Sequence, residues 1–220
     1  MTRFHGIPWR YDKYEIIADG IVHGIGVIAA LVAVTALIFY ATVWGTAGAL
    51  AATWIYGLGL LASLGISFAY NIWPVSPAKW ILRRFDHSAI FVLIAATYTP
   101  FLQAGLPDPL ILANLIGIWA VAIFGIFLKC VYPGRFDRLS ILLYLAMGWS
   151  GMILISKLYT ILSVSTLILI LIGGIIYSTG VIFHVWQKLR YQNAIWHGFV
   201  VTAAAVHYVA VLTAVVSAPA

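Results

Sequence analysis

The segment LSVSTLILILIGGIIYSTGVIFHVWQ, residues 162–187, contains no Asp, Glu, Lys or Arg. A helix needs about 20 mostly apolar residues to cross the hydrocarbon core of a bilayer, so this segment predicts a membrane-spanning helix. Six more segments of this kind lie in the 220-residue chain, at 16–41, 48–73, 86–106, 109–131, 139–157 and 194–217. The pattern predicts an all-α integral membrane protein. We expect a seven-transmembrane-helix bundle, with spans 1–7 in chain order, forming a single domain over residues 1–220.

The composition supports a membrane location and excludes several other classes of protein. The chain is 64% hydrophobic and 8% charged, whereas about a quarter of the residues are charged in a soluble domain. The segment 16–41 is longer than the 7–15 or so apolar residues of a signal peptide, so we expect it to be retained as a helix. The single cysteine, Cys130, excludes an intramolecular disulfide and a cysteine-based metal site.

The basic residues predict the orientation of the bundle. If the chain crosses the membrane seven times, every Lys and Arg except Lys157 falls on one side. The positive-inside rule then predicts a cytoplasmic N-terminus and an outside C-terminus. The net charge of +6 is explained by this topology and by attraction to anionic headgroups. We therefore expect membrane lipids as partners and no nucleic acid, and the oligomeric state stays open.

Polar side chains within the spans gather at one depth. Ionisable groups in hydrocarbon are costly and point to function by default. Residues four apart share one helix face, and alternating helix directions bring the ends of spans 1, 2, 3 and 7 to the same surface. The residues concerned are Glu15, Asp19, His23, Ser67, Asn71, Asp86, His87, Asn193 and His197. Their placement predicts a polar pocket in the leaflet beside the basic loops.

Other roles stay open for several of these residues. Glu15 and His87 could face lipid headgroups, where a charge is inexpensive. Asp86 could cap the start of span 3, after a connection of 14 residues that follows Asn71. His184 is expected to reach headgroups from the end of span 6, and a histidine in span 7, His207, is expected to bond a neighbouring helix.

Four motifs complete the pattern: EIIADGIVHGIG at 15–26, RFDHSAI at 84–90 continuing to ATYTPF at 96–101, YLAMGW at 144–149 and AIWHGFV at 194–200. In these motifs the chain resembles the hemolysin III branch of the progestin and adipoQ receptor (PAQR) superfamily. The resemblance implies a seven-helix bundle with a cytoplasmic N-terminus in a cell membrane, the inner membrane of a bacterium. It also implies a role in membrane lipid homeostasis, or in membrane perturbation and cytolysis when the protein accumulates.

The resemblance also implies a zinc site, but this chain differs from the implied ligand set at two positions. Relatives such as the adiponectin receptors hold zinc with three histidines, and they look like hydrolases of ceramide or related amides. The matching positions here are Ser67, Asp86 and His197, but Asn71 and Asn193 replace the other two histidines. Because an amide oxygen is outside the common zinc ligand sets, we expect a degenerate metal pocket. In it the two amides would form hydrogen bonds with the serine, the aspartate and the histidine.

Two classes of function follow. The first is a non-enzymatic protein that senses or adjusts the state of the bilayer, which the asparagine replacements favour. The second is a zinc-dependent hydrolase of a lipid amide or ester, with Asp86, Ser67 and His197 as catalytic residues and His197 as the possible base for Ser67. The second class needs rearranged metal ligands, whose candidates are Asp19, His23, Asp86, His87 and His197. Position 19 is a further departure, since relatives more often have Asn there.

Overall fold

The computed structural model describes residues 3–4, 7–8 and 11–217. Seven of its helices are long and apolar enough to cross a membrane, so the predicted all-α membrane class is confirmed. They are span 1 (Lys13–Trp44), span 2 (Ala47–Ile72), span 3 (Pro77–Gln103), span 4 (Pro109–Val131), span 5 (Asp137–Ile161), span 6 (Val164–Val185) and span 7 (Gln192–Val216). Ahead of span 1, two short strands, Arg3–Phe4 and Ile7–Pro8, pair antiparallel.

Span 3 begins earlier than its apolar pattern predicted. The side chain of Ser76 accepts a hydrogen bond from the backbone N–H of Lys79, and Pro77 occupies the first helical turn, both of which favour a helix start. The basic residues that follow are good helix formers, but a hydropathy pattern counts them as polar and therefore starts the span after them. Asp86 therefore lies inside the helix and does not cap it, and the connection from span 2 is only residues 73–76.

Span 5 is interrupted in its middle. It consists of an α-helix at Asp137–Trp149, a 3-10 helix at Ser150–Leu154 and an α-helix at Ile155–Ile161. The Tyr98 hydroxyl of span 3 donates to the carbonyl of Gly148 at 2.8 Å and accepts from the N–H of Gly151 at 2.9 Å. A side chain inserted into the helical hydrogen-bond ladder is a common cause of such a break, so Tyr98 both interrupts span 5 and holds it.

The tightest packing lies away from span 5. Leu37, Tyr56 and Val211 are among the buried residues that join spans 1, 2 and 7 into one core, and Phe91 centres a second core with spans 4 and 5. Burying such side chains contributes about 1.5–3 kcal/mol each. Span 5 packs more sparsely against its neighbours, which leaves space inside the bundle beside it.

Spans 6 and 7 approach closely at Gly173. The Nε2 atom of His207 lies 3.2 Å from the carbonyl oxygen of Ile170, which confirms the interhelical hydrogen bond predicted for this histidine. The imidazole ring lies directly over Gly173, at a place where a Cβ atom would overlap it. A residue without a side chain is therefore required at this position for the two helices to pack as they do.

We expect Gly173→Ala to lower the midpoint of thermal unfolding, because overpacking costs about 1–3 kcal/mol. Gly174→Ala is the matched control, since the nearest atom to its added Cβ would be Trp149 at an ordinary 3.7 Å. Tryptophan fluorescence of the two detergent-purified variants during heating measures the difference. Equal midpoints for the two variants would contradict the close approach at Gly173.

Candidate functional site

Asp19, His23 and His197 form the buried centre of a polar cluster at the N-terminal face, the end of the bundle where spans 1, 3, 5 and 7 begin. Their exposed fractions are only 3%, 1% and 8%. Asp19 Oδ1 lies 2.6 Å from His197 Nδ1. His23 Nδ1 lies 2.9 Å from the backbone carbonyl oxygen of Asp19 and 3.4 Å from its Oδ1. One carboxylate thus links two histidines from spans 1 and 7.

The hydroxyl of Ser67 joins span 2 to this centre. Its Oγ lies 3.1 Å from His23 Nε2. A carbonyl oxygen can only accept, so His23 donates through Nδ1 to Asp19, and in the neutral ring Nε2 is left to accept from Ser67. The imidazole partner of Ser67 is therefore His23, and not His197 as the hydrolase hypothesis considered.

Asn71 and Asn193, where the resemblance implies histidines, bond to each other. Asn193 Nδ2 donates to Asn71 Oδ1 at 3.3 Å, and Asn71 Nδ2 donates to the backbone carbonyl of Ser67 at 2.9 Å. The hydroxyl of Tyr11 donates to Asn193 Oδ1 at 3.0 Å. Both amide oxygens are thus engaged by donors.

Tyr11 closes this network at the surface, and the sequence pattern missed it because it precedes span 1. Although 42% of the residue is exposed, its hydroxyl end points into the bundle toward Asn193 and Gln192. Burial, together with the negative charges of Asp19 and Glu15, raises the pKa of Tyr11 to about 12. The hydroxyl therefore remains a protonated donor at neutral pH.

Glu15 lies above the pocket and not in its centre. Its carboxylate accepts from the N–H of Asp12 in a capping box and from the N–H of Tyr191 at 3.0 Å. Tyr191 has a left-handed backbone conformation, with φ of 57°, just before span 7 begins. Glu15 therefore joins the starts of spans 1 and 7 at the edge of the pocket.

Asp86 and His87 form the wall contributed by span 3. The carboxylate of Asp86 lies 3.3 Å from His87 Nδ1, and it also faces Ser67 and His197. His87 Nδ1 lies 2.9 Å from the carbonyl oxygen of Arg83. The aspartate thus points toward the centre of the cluster, while the histidine bonds along its own helix.

The donor chemistry decides where a metal ion could bind. One ligand atom from each of Asp19, His23 and His197 lies within 4.8 Å of the other two, and two imidazoles with a carboxylate suit a divalent transition metal. Asn71 and Asn193 offer only amide oxygens as ligands. The ligand set that the resemblance implies therefore fits zinc poorly, whereas the buried group of Asp19, His23 and His197 could hold a metal.

A cavity of about 1940 Å³ extends from this polar cluster through the bundle. That volume exceeds the roughly 300–1,000 Å³ of sites for drug-sized ligands. At the N-terminal face its walls are polar, and beyond them they are mainly apolar side chains of spans 3, 5, 6 and 7, among them Leu102, Leu158 and Leu171. The Nδ1 atom of His184 also belongs to this region and is buried without a hydrogen-bond partner, so this atom does not reach headgroups as predicted.

A bundle of seven apolar spans defines a multi-pass membrane protein, and in this one a buried polar cluster lies at one end of a long cavity. The family described as "Haemolysin-III related" matches residues 15–208. The chain belongs to this family, as its motifs predicted.

Relatives from bacteria and mammals share the similarity. The chain is 40% identical over 205 residues to the Hemolysin-3 homolog of Bacillus subtilis (strain 168), covering 93% of this chain and 96% of the relative. It is 42% identical over 199 residues to Hemolysin-3 of Bacillus cereus, covering 90% of each. The Monocyte to macrophage differentiation factor of Homo sapiens is 33% identical over 164 residues, which are 72% of this chain and 68% of the relative. The bacterial relatives agree with the predicted location in a bacterial inner membrane.

Proposed function

We propose that the protein binds a membrane lipid in its internal cavity and acts in membrane lipid homeostasis. The observation that carries this proposal is the polarity of the cavity, which is polar at the N-terminal face and apolar along spans 3, 5, 6 and 7. A lipid has the same division between headgroup and acyl chains. The name Hemolysin-3 of the relatives agrees with a protein whose accumulation perturbs a membrane.

The polar cluster would recognise the lipid through hydrogen bonds. Asp86 and His87 line the cavity, where their side chains would form hydrogen bonds with a polar ligand group. Asn71 and Asn193 already satisfy each other. This arrangement supports recognition by a degenerate, metal-free pocket.

Filling the cavity is expected to displace the lipid. Val181 lines the cavity, and Val181→Trp should lower the lipid-bound fraction about tenfold, since overpacking costs about 1–3 kcal/mol and about 1.4 kcal/mol is a factor of ten. Ile182→Trp is the matched control, because Ile182 is 57% exposed on the outside of the same helix. Native mass spectrometry of protein released from detergent measures bound lipid. Lipid loss that is equal in both variants, or wild-type protein without lipid, would contradict the proposal.

A second candidate is a zinc-dependent hydrolase of a lipid amide or ester, which the Asp19, His23 and His197 group favours. Zinc held by these side chains would supply Lewis-acid chemistry at the substrate carbonyl. Ser67 and Asp86, beside the group, would bind the carbonyl and the water. Release of fatty acid from a fluorescent ceramide tests this candidate, which predicts turnover that requires zinc and that His23→Gln abolishes. If no fatty acid is released either with or without added zinc, the hydrolase is rejected.

A further inference from the structure

Two buried cations share one carboxylate at the N-terminal face. Arg83 Nη2 donates to Asp137 Oδ2 at 2.6 Å, and Lys129 Nζ donates to Asp137 Oδ1 at 2.7 Å. Arg83 and Lys129 are 8% and 2% exposed, while the Asp137 side chain is 39% exposed. The three residues join spans 3, 4 and 5, and we call them, with the adjacent Arg138, the Asp137 cluster.

The charges of this cluster do not balance. One carboxylate faces two buried cations, and Arg138 adds a third positive charge at the same helix start. A buried charge without a compensating partner is costly by several kcal/mol. Asp86 lies one helical turn along span 3 from Arg83, and its carboxylate lies 3.3 Å from His87 Nδ1. Even with this carboxylate counted, the three cations outnumber the carboxylates by one, and an anion would neutralise the excess positive charge.

The excess charge is directed at the cavity. All four residues of the Asp137 cluster line it, next to Tyr144 and Ile141 of span 5. Lys129 has three ammonium protons, of which one goes to Asp137, and a guanidinium presents five N–H donors in a planar fork that matches phosphate oxygens. The cluster lies where spans 3 and 5 begin and span 4 ends, and a span of this length would place its ends near the lipid headgroups.

We propose that the Asp137 cluster binds the phosphate group of an anionic membrane lipid whose acyl chains occupy the cavity. This inference rests on the proposed lipid-binding function and adds the chemical class of the headgroup. Asp137 holds the donors in place and competes with the phosphate for them. If the cluster only connected spans 3, 4 and 5 and bound no phosphate, Asp137 would have no competitor for its donors.

Native mass spectrometry of the detergent-purified full chain tests this inference with three probes: phosphatidylglycerol, diacylglycerol with the same acyl chains, and inorganic phosphate. We expect phosphatidylglycerol to bind at least about tenfold more tightly than diacylglycerol, because diacylglycerol lacks the phosphate and losing one partner of a buried charged hydrogen bond lowers affinity by at least that factor. Lys129→Gln should remove that preference without changing diacylglycerol binding. The exposed Arg138→Gln, which does not disturb the ion pairs, should lower the preference about two- to fourfold.

The decisive variant is Asp137→Asn, which removes the competing charge and should increase phosphatidylglycerol affinity several-fold. Asp108→Asn is its matched control, since Asp108 pairs with Lys157 at 2.6 Å on the opposite face. If Asp137→Asn and Arg138→Gln leave the preference for phosphatidylglycerol unchanged, the cluster is only a structural tie. If inorganic phosphate binds as tightly as phosphatidylglycerol, the site is one for free phosphate. Equal binding of phosphatidylglycerol and diacylglycerol overturns this inference alone, whereas no binding of either overturns the lipid-binding function.

Discussion

Replacing Asp19 with alanine is expected to lower the free energy of unfolding by about 3 kcal/mol, because it removes the shared partner of two buried histidines. His197 Nδ1 would lose its 2.6 Å bond to the carboxylate, and the nearby His23 would lose the negative charge at 3.4 Å. Asp19→Asn is the matched control, since it keeps an acceptor oxygen and the side-chain shape. We expect the asparagine variant to lose about 1 kcal/mol.

Denaturant unfolding in detergent, followed by tryptophan fluorescence, measures these losses. The variant His197→Ala and the double variant complete a double-mutant cycle. The sum of the free energies of unfolding lost in the two single variants should exceed the loss in the double variant by about 1–3 kcal/mol. Simple additivity of Asp19→Ala and His197→Ala would show that the two side chains do not stabilise each other, and the buried centre of the polar cluster would need a different description.

The hydropathy of the chain predicted the seven spans, and particular residues show where that pattern fails. Span 4 agrees at both ends, because Pro109 and Val131 bound a segment that is apolar except for Asn114 and Lys129. Span 3 was placed too late, since its first turns contain Lys79 and Arg83, which lie toward polar groups of the protein. The break in span 5 depends on Tyr98 from another helix, and no local pattern indicates it.

The depth of the polar cluster could also be predicted, but its pairings could not. Alternating helix directions put Asp19, Ser67 and His197 in one leaflet, whereas helix rotation decides that Ser67 meets His23. The Asp137 cluster was missed because its charges were attributed to topology alone. Lys129 was the available signal, since it lies within the apolar segment 109–131 and is buried.

Placing histidines at the two positions where the resemblance implies them is expected to create a zinc site. Asn71 and Asn193 are in direct contact through their amides at 3.3 Å, and His197 lies one helical turn beyond Asn193. The variant Asn71→His/Asn193→His would thus present three imidazoles from spans 2 and 7. Since even indirect ligand partners change metal affinity by about 10–100-fold, two direct ligands should raise zinc affinity by more than about 1,000-fold. Asn71→Gln/Asn193→Gln is the control that keeps both amides.

Zinc content per chain, measured by mass spectrometry on detergent-purified protein, tests most directly whether the pocket is degenerate. Wild type and the glutamine control should contain far less than one zinc per chain, and the histidine double variant about one, held by three imidazoles. The contrary result is a wild-type protein with stoichiometric zinc that His23→Gln or His197→Ala removes. That outcome would assign the metal to the Asp19, His23 and His197 group and make the lipid hydrolase the leading function.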